Sequence, residues 1–142
     1  MAKKVKKVAK PRAGVAPKTR NAGTWTESAF LSFIRSALRQ KSRWWKPILN
    51  TREKAKRTYK GTKRNQKWEY QCIKCKSWNL GKDVSVDHIN PVGSLRSIDE
   101  LPKFVENLFC TEDNLQVLCQ SCHLVKTNEE KAKGYKINNE QK

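Results

Sequence analysis

Acidic residues are scarce in this sequence, and almost all of them lie in its second half. Of the 142 residues, 31 are Lys or Arg and 13 are Asp or Glu, which gives a formal net charge of +18. Residues 1–67 contain 21 Lys/Arg and only two acids, whereas residues 68–142 contain ten Lys/Arg and eleven acids. Solubility alone does not require one half to lack acids. The first half is therefore predicted to bind a polyanion, and nucleic acid is favoured because neutralised phosphates release counterions.

Long apolar runs are also missing. No stretch approaches the roughly 18 apolar residues of a membrane-spanning helix, and the first residues lack the apolar core of a secretory signal peptide. No membrane partner is expected, and the predicted location is a reducing cytoplasm, where paired cysteines indicate metal ligands rather than disulfides. Because only 37% of the residues are hydrophobic, we expect one small domain with a modest core and a stabilising metal.

Four of the five cysteines form two close pairs of the Cys-x-x-Cys type, Cys72 with Cys75 and Cys119 with Cys122. Four thiolates in two pairs can make a closed tetrahedral zinc site, which contributes folding energy to a small domain. The sequence therefore predicts a structural zinc ion at these four residues. The fifth cysteine, Cys110, is interpreted as a buried or unused thiol rather than a ligand.

Histidine is scarce too, and both histidines lie beside the cysteine pairs. Asp87-His88 lies between the two pairs, and His123 directly follows Cys122. Closing the zinc site is expected to bring Asp87, His88, Asn114 and His123 into one neighbourhood. A carboxylate and an imidazole can hold a divalent cation that keeps open, water-filled positions. A second imidazole can take a proton from a water molecule aimed at a phosphodiester.

The first 67 residues divide into two predicted parts. Residues 1–23 contain eight Lys/Arg, no acid and no aromatic residue, and a disordered basic arm is expected. Residues 24–67 are predicted to be a helical basic extension that binds DNA. Within it, Thr24 is the expected N-cap of a helix over residues 25–41, because a capping-box pattern precedes apolar residues at helical spacing.

Two further predictions concern the rest of this extension. Pro47 is expected to end the first helix, since proline disfavours helix at the residue before it. Trp44 and Trp45 are interpreted as core residues rather than as surfaces for stacking on bases. A second, short helix is expected around residues 51–59, and the basic residues of the tract 50–67 are candidates for phosphate contacts.

The second half of the sequence is predicted to contain three strands, a helix that follows the third strand, and a short helix inserted between the second and third strands. Alternating apolar and polar residues place the strands at about residues 68–72, 84–89 and 114–119. A helix is expected over residues 120–133 and to end at Gly134, with residues 135–142 as a C-terminal tail. Residues 97–109 fit a short inserted helix.

At these residues the chain resembles the HNH endonuclease family, whose ββα-metal motif has Asp-His, then Asn, then His or Asn. The matching stretches are 86–92 and 114–123. The resemblance is greatest to small HNH endonucleases encoded by bacteriophages, and it spans about half of the chain. It implies an α+β fold: a ββα-metal (His-Me finger) nuclease core with zinc knuckles over residues 68–134, a structural zinc site and an N-terminal helical basic extension.

The resemblance also implies a role for each candidate residue. His88 matches the general base, and Asp87 and His123 match the ligands of a catalytic Mg²⁺ or Mn²⁺. Asn114 matches the residue whose amide braces the loop that carries the base. The four paired cysteines match the structural zinc site. Residues 97–109 are longer than the same segment in minimal members, and no role is predicted for them.

The function expected from these features is metal-dependent hydrolysis of phosphodiester bonds in double-stranded DNA, in the cytoplasm of a host cell if a phage encodes the protein. One catalytic metal per chain predicts a nick, so double-strand cleavage calls for a second subunit or a second cleavage event. A homodimer and phage packaging proteins are the partners considered.

Two alternatives use the same cysteines. A non-catalytic zinc-ribbon protein that binds nucleic acid explains the cysteines and the charge, but it gives no role to Asp87, His88 and His123. The run from Cys119 to His123 also matches the attachment pattern of c-type haem. That interpretation requires export and leaves Cys72 and the Asp-His pair unexplained.

Overall fold

The computed structural model describes the backbone of residues 14–140 and the side chains of residues 14–134. Most of the predicted basic arm, residues 1–13, lies outside the described residues, as do residues 141–142. The described chain confirms the predicted α+β class. Its strands are β1 (Lys18–Arg20), β2 (Trp25–Thr26), β3 (Lys56–Thr58), β4 (Trp68–Gln71), β5 (Trp78–Leu80), β6 (Val84–His88) and β7 (Leu115–Cys119). Its helices are α1 (Glu27–Ser42), α2 (Lys46–Lys54), α3 (Leu101–Leu108) and α4 (Gln120–Glu140). None of the described helices is long and apolar enough to cross a bilayer.

The last residues of the predicted basic arm form a β-hairpin. β1 pairs antiparallel with β2 across a turn in which Gly23 has a φ of 75°, a conformation that glycine adopts without strain. The guanidinium of Arg20 donates a 2.7 Å hydrogen bond to the carboxylate of Glu27. The prediction of disorder over 1–23 is therefore wrong for residues 18–23. Their pairing partners lie downstream of the arm, so the composition of the arm alone does not indicate them.

Helix α1 begins two residues later than predicted. Its N-cap is Thr26, whose hydroxyl oxygen accepts a 3.2 Å hydrogen bond from the backbone N–H of Ala29. Thr24 is not the cap, because its hydroxyl donates instead to the carbonyl of Asn21 at 2.7 Å, within the hairpin turn. Both threonines fit a capping pattern, but the hydroxyl of Thr24 is engaged in the hairpin turn, which leaves Thr26 as the cap.

Helix α2 lies earlier than the second helix that the sequence predicts at about 51–59. Pro47 occupies its first turn, where the missing N–H would have no helical partner. The proline therefore starts a second helix after a short break. Trp44 is 77% exposed, so its prediction as a core residue is wrong. Trp45 is 37% exposed, and its indole N–H donates a 2.7 Å hydrogen bond to the carbonyl of Cys110.

Strands β3, β4 and β5 form an antiparallel sheet, and β4 confirms the predicted strand at 68–72. The buried residue of β4 is Glu69, which is 7% exposed, whereas Trp68 is 44% exposed. Arg57 on β3 donates a 2.7 Å hydrogen bond to Glu69, so the buried carboxylate is paired with a cation. This ion pair lies on the side of the sheet opposite Trp68.

Strands β6 and β7 form a second antiparallel pair, and α4 follows β7 without a loop. In the register of this pair, Asp87 lies opposite Gln116 and His88 lies opposite Leu115. Helix α4 continues through Gly134 to Glu140, so the predicted helix end is wrong, and residues 135–140 of the predicted tail are helical; residues 141–142 lie outside the described residues. A glycine within a helix costs only about 1 kcal/mol relative to alanine, and it does not by itself end one.

The main hydrophobic core joins the N-terminal extension to the inserted segment. Its buried members are Leu31, Val92, Leu95, Phe104 and Leu108. Leu31 belongs to α1, whereas the other four lie between β6 and the end of α3. The inserted segment 97–109, for which the sequence predicts no role, therefore supplies Phe104 and Leu108 to the core on which α1 packs.

Candidate functional site

The four paired cysteines come together as predicted. Their sulfur atoms all lie within 4.8 Å of one another, and the sulfurs of Cys75 and Cys119 are 3.8 Å apart. A tetrahedral zinc site with metal–sulfur bonds of about 2.3 Å separates its sulfurs by about 3.8 Å. The cluster could therefore hold a structural metal ion such as zinc. Cys110 does not belong to it, in agreement with the prediction.

Tight local structure holds the first cysteine pair. Cys72 directly follows β4 and is fully buried. Its carbonyl accepts a 3.0 Å hydrogen bond from the N–H of Lys76, which closes a turn in which Lys76 has a left-handed φ of 61°. The N–H of Ile73 donates to the carbonyl of Val117 on β7 at 2.9 Å. This bond ties the first pair to the strand that carries Cys119.

The ionisation of the cluster is uneven. Hydrogen bonds with the hydroxyl and backbone N–H of Ser77 lower the pKa of the Cys75 thiol to about 6. The hydrogen bond with Cys119, together with burial, raises the pKa of Cys122 to about 12. Burial opposes ionisation of Cys72, but backbone hydrogen bonds outweigh burial and lower its pKa as well. Thiolates therefore form more readily at Cys72 and Cys75 than at Cys122, where a further negative charge in so small a space is unfavourable. A cation at the centre removes that repulsion, so the chemistry of the donor set fits a metal.

A second group of polar side chains lies where β6 ends. The Nε2 atom of His123, on the first turn of α4, is 3.6 Å from the Oδ1 atom of Asp87. Neighbouring ligands of one divalent cation lie about 3 Å apart when the bonds are about 2.1 Å and at right angles. The two atoms thus need only a small movement to share an ion. The side chain of Asp87 is 16% exposed and that of His123 is 44% exposed, so the pair is open to water on the histidine side.

Lys126 belongs to this group, although the sequence predicts no role for it at the site. Its ammonium donates to the carboxylate of Asp87 at 2.9 Å and to the carbonyl of His88 at 2.9 Å, and it also pairs with Glu130. Burial lowers the pKa of Lys126, but the bonds to Glu130 and Asp87 outweigh it and raise the pKa above its ordinary value. The sequence signal that could have placed Lys126 at the site is its spacing from His123, since residues three apart in a helix lie on the same face.

The orientation of His88 is set by the inserted segment. Its Nε2 atom lies 2.9 Å from the carbonyl oxygen of Leu108, the last residue of α3. A carbonyl only accepts hydrogen bonds, so Nε2 carries the proton in the neutral ring. Nδ1 is then the basic atom, and no hydrogen bond from the described residues reaches it.

Asn114 contacts the loop that follows His88. Its Oδ1 atom accepts a 2.9 Å hydrogen bond from the N–H of Asn90, and its amide nitrogen donates to the carbonyl of Asn90 at 3.4 Å. The backbone of Asn114 also accepts a 2.8 Å hydrogen bond from the N–H of Ile89. The side chain therefore fixes the backbone beyond His88 and does not itself reach Asp87.

A cavity of about 570 Å³ opens beside Asp87 and His88. Its other walls come from Arg39 of α1, from the loop 91–94 and from α4. The α4 side includes Lys126, Glu130 and Lys131, among others. Cavities of about 300–1,000 Å³ are of the size that binds small molecules or parts of larger ones.

Comparison of the chain with models of known protein families, with curated proteins and with solved structures finds no match. Its function must therefore be inferred from the arrangement of its own residues. Three features carry information: the metal-capable cysteine cluster, the pair of Asp87 and His123, and His88 with Nδ1 as its basic atom.

Proposed function

We propose that the protein is a metal-dependent endonuclease of the HNH class that hydrolyses phosphodiester bonds in double-stranded DNA. One observation carries the proposal: Asp87 and His123 lie 3.6 Å apart, and His88, whose ring is oriented by a backbone carbonyl, follows Asp87 in β6 and lines the same cavity as Asp87. A carboxylate, an imidazole ligand and a second, separately held imidazole are the groups that metal-assisted phosphodiester hydrolysis requires.

In the proposed reaction, His88 removes a proton from a water molecule through Nδ1. The water oxygen attacks the phosphorus, the bond between the phosphorus and the 3′ oxygen breaks, and the leaving 3′ oxygen takes a proton from solvent. The resemblance to the family implies products with 5′-phosphate and 3′-hydroxyl ends. The hydrogen bond from Nε2 to Leu108 keeps the ring in one orientation and stabilises the imidazolium that forms.

Asp87 and His123 are the proposed ligands of a catalytic Mg²⁺ or Mn²⁺. When bound, such an ion acts as a Lewis acid that offsets the negative charge growing on the phosphate and the leaving oxygen. Lys126 holds the carboxylate oxygen of Asp87 that does not face His123, and it also fixes the carbonyl of His88. Asn114 is a positioning residue, because it holds the loop after His88 through Asn90.

The remaining features are assigned supporting roles. Zn²⁺ is the proposed ion of the cysteine cluster, where it joins β4 to β7 and α4. The basic first half is the proposed DNA-binding surface, since its charge favours phosphates. One such site per chain produces a nick, so double-strand cleavage calls for a second copy of the chain or a second cleavage event.

The test is cleavage of a supercoiled plasmid by the zinc-loaded protein in Mg²⁺ or Mn²⁺, with and without EDTA. Conversion to open circles that depends on the added metal is the expected result. A folded, zinc-loaded protein that binds the plasmid but leaves it supercoiled in both metals would favour the alternative, a zinc-ribbon protein that binds nucleic acid without cutting it.

A further inference from the structure

The charges around the cavity beside Asp87 and His88 are not balanced. Three cations line it, namely Arg39, Lys126 and Lys131. Lys126 is neutralised by Asp87 and Glu130. Arg39 and Lys131 form no ion pair with any acid among residues 14–134. The cavity thus has a net charge of +1 from three cations and two acids, and two of its cations, Arg39 and Lys131, have no ion-pair partner beside Asp87 and His88.

Arg39 reaches this cavity because the core fixes α1. Leu31 of α1 is buried, and Ile34 and Leu38 pack against the same cluster. The guanidinium of Arg39 lies 5.7 Å from the centre of the Phe104 ring, and Phe104 is 1% exposed. The guanidinium of Arg39 therefore lies near a buried core ring, and Arg39 is exposed, so its planar donors are available to a ligand. A guanidinium of this kind binds phosphate oxygens with two parallel hydrogen bonds.

Only one arginine of α1 contributes to the cavity. Arg35 donates instead to the hydroxyl of Ser32 on its own helix, at 3.3 Å, and Arg43 is the C-cap residue that follows α1. Neither lines the cavity. Any of these arginines would meet a general requirement for positive charge. An anion bound beside Asp87 and His88 explains why Arg39 in particular lines the cavity.

We propose that Arg39 and Lys131 form a phosphate subsite that holds a backbone phosphate of the DNA strand next to the one being cut. The proposal rests on the proposed nuclease function and adds to it. It makes the N-terminal extension part of the substrate site rather than only a general attachment to DNA. It also gives the inserted segment a second role, because α1 packs against this segment, which also orients His88.

The test compares Arg39→Ala with Arg43→Ala, which removes the same charge from the same end of α1 but outside the cavity. Cleavage is measured as a single-turnover rate with saturating protein, and DNA affinity is measured in the His88→Ala background, where the substrate stays intact. Arg39→Ala should lower the cleavage rate at least about tenfold, as expected when a charge-assisted hydrogen bond is removed. Arg43→Ala removes a charge of the general DNA-binding surface, so with saturating protein it should lower the rate by a smaller factor than Arg39→Ala does. Lys131→Ala should act in the same direction as Arg39→Ala.

Equal effects of Arg39→Ala and Arg43→Ala on cleavage and affinity would overturn the subsite. If Arg39→Ala lowers the unfolding temperature, Arg39→Gln repeats the comparison, because it keeps part of the aliphatic side chain and removes the charge. If the parent protein binds DNA but does not cleave, the nuclease function fails. The subsite is then decided by affinity alone, which Arg39→Ala must reduce more than Arg43→Ala does.

Discussion

Phe104 is the side chain whose removal should show most clearly that the inserted segment supports the whole site. It is 1% exposed and packs with Leu31, Leu95 and Leu108 in the core that joins α1 to α3. Replacing a buried phenylalanine by alanine typically costs about 3–5 kcal/mol, because apolar burial is reduced and a cavity is left behind. A small domain has a total stability of about 5–15 kcal/mol. Phe104→Ala should therefore remove a large fraction of the free energy of unfolding.

The assay is urea unfolding followed by tryptophan fluorescence, with zinc in excess in every sample. Phe104→Leu should lie between the parent and Phe104→Ala. Lys103→Ala, an exposed change on the same helix, should unfold at the midpoint of the parent. The cleavage rate of Phe104→Leu, measured where it is still folded, should also fall, because α3 carries the carbonyl that orients His88. An unchanged midpoint for Phe104→Ala would refute the proposed packing of α1 on the inserted segment.

Three other predictions concern the zinc cluster, the loop after His88 and the basic arm. Cys119→Ser should release the metal and unfold or aggregate, because a closed zinc site supplies folding energy. Elemental analysis of the parent protein should find about one zinc per chain. A folded, soluble variant without zinc would contradict a structural role for the cluster. Asn114→Ala should lower the cleavage rate by about 10–100-fold with little change in DNA affinity, because misplaced catalytic groups are costly; an unchanged rate would exclude a positioning role. Deleting residues 1–13, which carry six Lys/Arg and no acid, should weaken binding to unrelated DNA sequences by similar factors. The slope of log affinity against log salt concentration should become shallower by about 0.9 for each phosphate that these residues neutralise. An unchanged slope would show that residues 1–13 neutralise none.

Short-range patterns were sufficient to predict the elements that carry the proposed site. Alternation predicts the strands that become β6 and β7, and the paired cysteines predict a cluster that the structure brings within 4.8 Å. Both signals are local: side chains alternate along a strand, and two cysteines three residues apart can bind one metal ion. The start of α4 at Gln120 likewise agrees with the predicted helix.

Features that depend on distant partners could not be predicted in this way. The hairpin at 18–26 needs pairing between two strands that are each too short to give a pattern. Trp44 is exposed because α2 begins just after it, which leaves its side chain outside the core. The contact of His88 with Leu108 joins residues 20 positions apart, and the place of Arg39 at the cavity depends on the packing of α1. No local spacing encodes these contacts.

The proposed mechanism is tested most directly by the rate at which His88→Ala nicks a supercoiled plasmid in Mg²⁺ or Mn²⁺, compared with the parent protein. A general base contributes about 10²–10⁴-fold to the rate, so the variant should be slower by that factor. Its zinc content, its unfolding temperature and its affinity for DNA should stay close to those of the parent. Nicking by His88→Ala at the rate of the parent would contradict the assignment of His88 as the base.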